Sequence, residues 1–240
     1  MHVDEPRRAA YDLLYEVGVE DAYANLVMPQ ILAHYELSGR DAAFATELGF
    51  GSLRQRGFID AVLAKCVDRE LLRIEPPVLD VLRLGAYQLH FADVPPHAAV
   101  GETVELAPRR ARGFVNAVLR RVAATPMQWG STAERLSFPD WVVQRLTDEL
   151  GAADAEATLM AMNEAPAVTE RADGYIQDLG SQWVAAAVLA APGERVLDVC
   201  AAPGGKSTAI AATGAFVVGA DLQAHRVALV AQNAASLGTP

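Results

Sequence analysis

The residues best suited to chemistry lie between Asp198 and Lys206. There a short β-branched run, Arg195-Val-Leu-Asp-Val-Cys200, gives way to Ala201-Ala-Pro-Gly-Gly-Lys206 and then to an Ala-rich stretch, Ser207 to Thr213. A strand, a Gly-rich turn and a helix in that order aim free backbone N–H groups and the helix dipole at a polar or anionic ligand. Gly204 and Gly205 let the backbone approach it closely. A second apolar run, Ala215 to Ala220, ends at Asp221. An acid roughly 20 residues beyond the first strand is placed to accept hydrogen bonds from ribose hydroxyls. Gly205-Lys206-Ser207 does not make a P-loop, because G-x-x-x-x-G-K-[ST] needs Gly where this chain has Cys200. The G-x-G-x-x-G dinucleotide pattern is absent as well.

Other reactive side chains carry weaker signals. Cys66 and Cys200 are far apart without C-x-x-C spacing, which argues against a disulfide framework or a zinc site and fits a reducing cytoplasm. His34, His90 and His225 show no metal spacing, and Trp129, Trp141 and Trp183 read as packing residues. The net charge of −10 opposes nucleic-acid binding taken as a sum. Its distribution does not, since Arg109, Arg110, Arg112, Arg120 and Arg121 form a stripe free of acids, with Arg7 and Arg8 as further candidates. The composition, 52% hydrophobic and 21% charged, is that of a soluble globular protein. No apolar run is long enough for a membrane span, and the N-terminus lacks the apolar core of a secretory signal, so a cytoplasmic protein is expected.

The elements that must position these residues fall into three regions. Residues 1–125 read as helix after helix with no period-two alternation. Ala10, Leu13, Leu14 and Val17 share one helical face, and Leu26, Val27, Ile31 and Leu32 share another. Ser38 to Asp41 resembles a capping box, and Pro76-Pro77 and Pro95-Pro96 open further helices. The last helix runs from Gly113 to Val122, and Cys66 is expected in the core. Residues 126–166 read as a helical linker, with Ser137 capping a helix from Trp141 to Leu150 and another from Asp154 to Met162. Residues 167–240 begin with a helix, Gly180 to Ala191, whose Trp183, Val184, Ala187 and Val188 should face inward. The two strands follow, and a final helix, Ala224 to Leu237. This β-α-β-α order opens a doubly wound parallel sheet that two strands cannot complete.

Asp198-Val-Cys-Ala-Ala-Pro-Gly-Gly-Lys-Ser207 resembles the first cofactor motif of the bacterial rRNA cytosine-C5 methyltransferases of the RsmB/Sun type. Gln177-Asp-Leu-Gly-Ser-Gln182 is similar to that family's lead-in, and Asp221 with Arg226, Asn233 and Leu237-Gly238 to its next motif. Tyr23-Ala-Asn25, Leu84-Gly-Ala-Tyr-Gln88, Pro95-Pro-His-Ala-Ala-Val100 and Arg112-Gly-Phe-Val-Asn-Ala-Val-Leu-Arg-Arg121 resemble the NusB-like domain fused to these enzymes. The resemblance implies a multi-domain α plus α/β chain, a NusB-like helical bundle followed by the incomplete start of a Rossmann-like methyltransferase sheet. It implies S-adenosyl-L-methionine as cofactor, with Cys200, Ala201, Ala202, Pro203, Gly204, Gly205 and Lys206 along its methionine and ribose side and Asp221 on the ribose. The partner implied is ribosomal RNA, modified at cytosine C5 in 16S rRNA, and the chain is expected to be monomeric and free of metal. In the family one cysteine thiolate adds to C6 of the base and a second helps release product. Both belong to later motifs, so this chain is expected to be C-terminally truncated, to hold no catalytic residue and to be inactive alone. The bridge from Val168 to Ile176 is short where many members carry several dozen residues. The other function the bundle allows is that of a NusB-like RNA- or protein-binding module in antitermination.

Overall fold

The computed structural model describes residues 4–126 and 129–239, which divide into two compact units, residues 1–165 and 166–240. The first unit is helical: α1 (Glu5–Val19), α2 (Ala24–His34), α3 (Gly39–Arg54), α4 (Arg56–Cys66), α5 (Pro76–His90), α6 (Pro96–Leu106) and α7 (Arg112–Ala124). Three more helices follow, α8 (Thr132–Leu136), α9 (Asp140–Leu150) and α10 (Ala152–Met162). Helix α1 starts at Asp4, whose carboxylate accepts from Arg7 N at 3.0 Å, and Pro6 occupies its first turn.

Helix α5 is the post around which the bundle is built. Every residue from Val78 to Gln88 is buried, the pattern of a helix covered on all sides. Helices α1, α3, α4, α6 and α7 pack around it. Three polar side chains on α5 are therefore carried into the core, and each is bonded there. Arg83 donates to both oxygens of Asp60 at 2.8 and 2.9 Å and to Asp80 at 3.0 Å. Burial nonetheless pushes the Asp80 carboxyl above its ordinary range, with Arg83 pulling the other way. Gln88 accepts from Arg7 Nε at 2.7 Å and donates to Thr103 Oγ1 at 2.8 Å.

Several local expectations are corrected. Ser137 does not cap α9. It ends α8 in the left-handed region (φ 60°), where its hydroxyl accepts from Gly57 N at 2.9 Å and donates to Arg54 O at 3.0 Å. Its side chain is taken by the α3–α4 junction, and Pro139 occupies the α9 cap position. Ser38 does stand at the N-cap of α3, without a side-chain bond to the helix. Leu26, placed on the apolar face of α2, is 54% exposed, while Met28 and Ile31 are the buried pair. Trp129 packs on the core against Phe58, with ring centroids 4.3 Å apart. Trp141 and Trp183 do not pack, being 73% and 65% exposed.

The second unit contains α11 (Leu179–Ala187), β1 (Arg195–Asp198), α12 (Gly205–Ala211), β2 (Phe216–Gly219) and α13 (Ala224–Ser236). The strands pair in parallel, from Arg195 opposite Phe216 to Asp198 opposite Gly219. The core is small, built on Ala185, Ile210 and Ala215, so the face of α11 expected inward is mostly exposed. Much of the strand surface is uncovered too, with Leu197 64% and Phe216 60% exposed. Ahead of α11, residues 169–177 form a tight antiparallel hairpin. Gln177 N donates to Thr169 O at 3.0 Å, Arg171 N to Tyr175 O at 2.9 Å, and the turn uses Gly174 at φ +84°.

Candidate cofactor site

The turn from β1 to α12 is shaped by the two acids at the strand ends. Asp198 accepts from Cys200 N at 3.2 Å with one oxygen and from Ser207 Oγ at 2.7 Å with the other. Asp221, which the first-strand spacing assigned to a ribose, also reaches into the turn and accepts from Ala202 N at 3.3 Å. Its second oxygen accepts from Gln223 N at 3.2 Å, Arg226 lies 3.7 Å away, and the side chain is only 5% exposed. Both carboxylates thus hold backbone amides of the β1–α12 turn.

Behind the turn stands α13. Asn233 donates to Pro203 O at 2.7 Å, and Arg226 donates to Ala202 O at 3.4 Å. Gly204 has φ +108°, and a Cβ there would come within 3.1 Å of Val230 Cα. Only glycine meets both conditions. Gly205 is constrained from the opposite direction, because a Cβ would lie 2.9 Å from a ring carbon of Tyr175 and 3.0 Å from Gln177 Nε2.

A cavity of about 180 Å³ opens at the turn, lined by Tyr175, Gln177, Ser181, Cys200, Pro203 and Lys206 among others. That is smaller than the roughly 300–1,000 Å³ of pockets that enclose a drug-sized ligand. It suits one polar end of a longer molecule. Cys200 and Lys206 are exposed at its mouth, whereas Gly204 and Asp221 do not line it. The residues expected at a cofactor are thus brought to one turn, with Cys200 to Lys206 as its rim and Asp221 as its support. Sequence reasoning missed the hairpin residues Arg171 and Tyr175, whose only sequence signal is their place just ahead of the Gln177–Gln182 motif, whereas Gln177 opens that motif.

The candidate RNA-contacting arginines do not form one surface. Arg7 is 7% exposed and committed to Asp4 and Gln88, with its guanidinium over the Phe44 ring at 5.1 Å. Arg8 stacks over Tyr11. Arg112 is paired with Glu105 at 2.6 Å and bonded to two carbonyls at the end of α6. Arg110 is exposed but meets Glu75 at 2.6 Å, and Arg121 bonds Cys66 O and Asp68. Arg109 and Arg120 remain exposed without an acidic partner among the described residues. No group of three metal-ligating side chains comes together among the described residues, and no helix there is long and apolar enough to cross a membrane.

The fold and site define a class: an all-α bundle joined to the opening strand–turn–helix unit of a Rossmann-like methyltransferase. The NusB family model matches residues 4–124, and the model described as 16S rRNA methyltransferase RsmB/F matches residues 185–240. The chain belongs to the RsmB family of NusB-fused rRNA methyltransferases. "Putative methyltransferase Rv1407" of Mycobacterium tuberculosis is 38% identical over 98% of this chain and 67% of its own length. "Ribosomal RNA small subunit methyltransferase B" of Thermus thermophilus is 34% identical over 99% of this chain and 65% of its own. The chain therefore spans about two thirds of the length of these relatives. The mycobacterial alignment runs over 305 positions against the 240 residues here, so that relative carries dozens of residues without a counterpart in this chain. The solved structure of PH0851 shares the fold, with a TM-score of 0.73 at 16% identity over all of this chain and 68% of that one.

Proposed function

We propose that this chain carries the helical RNA-docking domain and the first half of the cofactor site of an S-adenosylmethionine-dependent enzyme that methylates cytosine C5 in 16S rRNA. The observation that carries the reading is the turn from Cys200 to Lys206. It has glycines where side chains would collide, amides ordered by Asp198 and Asp221, and a polar cavity at its rim. Bound there, the cofactor supplies the methyl group. Lys206 and the first-turn amides of α12 offer positive charge and donors to its carboxylate end. Asp221 holds the loop at Ala202 beside Arg226, and its carboxylate keeps acceptor capacity for a ribose hydroxyl. Neither cysteine suits the nucleophile role, since Cys66 is 1% exposed in the bundle core and Cys200 belongs to the cofactor turn.

RNA docking falls to Arg109 and Arg120, with Arg110 and Arg121 available because exposed ion pairs are weak and exchange readily for phosphate. The test combines calorimetry with S-adenosylhomocysteine and methyl transfer from labelled S-adenosylmethionine to 16S rRNA. The enzyme containing this chain together with the remainder found in its relatives is expected to label cytosine, and residues 1–240 alone to bind without labelling. Labelling by residues 1–240 alone would overturn the division of roles. Absence of cofactor binding, with RNA binding retained, would favour a NusB-like binding module, which the family match over residues 4–124 also permits.

A further inference from the structure

We propose that Arg171 is a positioning residue that pre-orders the cofactor turn, a role resting on the cofactor reading above. Its side chain is 8% exposed, and its nearest counter-charge is Asp173 across the hairpin turn. A buried guanidinium is costly unless its donors are used. Asp173 takes Nε at 3.0 Å and also NH2. The remaining nitrogen points out of the hairpin. It donates to Gly205 O at 2.5 Å, lies 3.2 Å from Thr208 Oγ1, and reaches Gln177 Oε1 at 3.3 Å. A side chain needed only to close the hairpin would have no use for Gly205, more than 30 residues away along the chain.

The opposite end of the turn is tied into the same assembly. The Arg171 guanidinium lies over the Tyr175 ring, 5.1 Å from its centroid. The Tyr175 hydroxyl accepts from Asn233 Nδ2 at 3.3 Å, and the same amide donates to Pro203 O at 2.7 Å. Pro203 and Gly205, the two residues flanking Gly204, are thus held through one set of contacts that meets at Tyr175. The hairpin supplies one wall of the cavity through Tyr175 and Gln177. Arg171 fixes that wall to the rim before any ligand arrives, which removes an ordering cost from binding.

The test uses the 240-residue chain and two readouts. Hydrogen exchange of the amides from Cys200 to Thr208, without ligand, reports the order of the turn. Calorimetry with S-adenosylhomocysteine reports affinity. Arg171→Ala is expected to accelerate exchange and weaken affinity, each by about tenfold, the effect of losing one or two charge-assisted bonds. Millimolar guanidinium should restore protection in that variant, which a general loss of folding would not allow. Arg171→Lys keeps the charge but not the planar fork of donors and should fall between; it also decides the matter if the alanine variant does not fold. Unchanged exchange and unchanged affinity in both variants would overturn the proposal. If the wild-type chain binds no S-adenosylhomocysteine, the cofactor reading fails, and the exchange data alone still decide the role of Arg171.

Discussion

Gly205→Ala is the smallest change that should separate a fitted cofactor turn from a merely flexible one. The added methyl carbon would stand 2.9 Å from Tyr175 Cε1 and 3.0 Å from Gln177 Nε2, about half an ångström inside ordinary contact. Neither neighbour is free to retreat. Tyr175 is stacked under Arg171 and bonded to Asn233, and Gln177 is 8% exposed with its amide oxygen bonded to Arg171. Overpacking of this kind costs about 1–3 kcal/mol. If that cost is relieved by the hairpin lifting off the turn, S-adenosylhomocysteine affinity falls by roughly 5- to 150-fold, at 1.4 kcal/mol per factor of ten. Gly113→Ala is the matched control. It lies in α7 with nothing within 4 Å of the new carbon, so it should leave affinity unchanged and stabilise the bundle by up to about 1 kcal/mol. Calorimetry on the two variants and the wild type gives the answer. Equal affinity for all three would refute the claim that the hairpin and the turn are fitted to one another.

Four further predictions concern the bundle. Arg83→Met strands Asp80, whose side chain is 5% exposed, and should lower unfolding free energy by about 3–5 kcal/mol in denaturant titrations; a loss under 1 kcal/mol would contradict the buried network. His90 has its pKa depressed below the ordinary 6.5 by burial, and its Nε2 is buried without a hydrogen-bond partner among the described residues. The native state therefore binds fewer protons than the unfolded chain below about pH 6.5, and stability should fall as the pH drops through that window. His90→Phe, next to Phe58 and Phe91, should flatten that fall and add about 1 kcal/mol, as measured by unfolding at pH 5.5 and 7.5. Replacing Arg109 and Arg120 by Ala should weaken rRNA binding and shrink the log–log salt slope by about 0.7–0.9 per lost phosphate contact. Arg7→Ala should instead destabilise the bundle and leave that slope unchanged, because its charge is spent on Asp4 and Gln88.

The backbone plan was legible because it follows from patterns that act locally. The proline pairs at 76–77 and 95–96 do open helices, and the runs Arg195–Cys200 and Ala215–Ala220 do contain paired parallel strands, over Arg195–Asp198 and Phe216–Gly219. What could not be read were decisions made between distant residues. Nothing near Ser137 marks it for Arg54 and Gly57, some 80 residues earlier, so a capping assignment was the reasonable local inference. Likewise Arg112 looks like its neighbours in the basic stripe, and Arg7 like Arg8 beside it, until packing brings Glu105 to one and Gln88 to the other. Arg171 was invisible for the same reason, since its partners Gly205 and Thr208 come from a different element.

The two strand-end acids sharpen what a motif of this kind encodes. Read by spacing, Asp221 looks like a ligand contact; in the structure it and Asp198 both turn toward amides of the β1–α12 turn, at Ala202 and at Cys200. A carboxylate that accepts from the backbone of a turn fixes the direction of the neighbouring free N–H groups, which do the recognising. Exposed Lys206 and the polar wall at Gln177 and Ser181 line the cavity. On this reasoning Asp198→Asn and Asp221→Asn act first on loop order and only through it on affinity. Faster amide exchange at Cys200 and Ala202 in the absence of any ligand should therefore accompany the loss of binding in both variants. Loss of binding with exchange unchanged would refute this and return Asp221 to direct contact with the ribose.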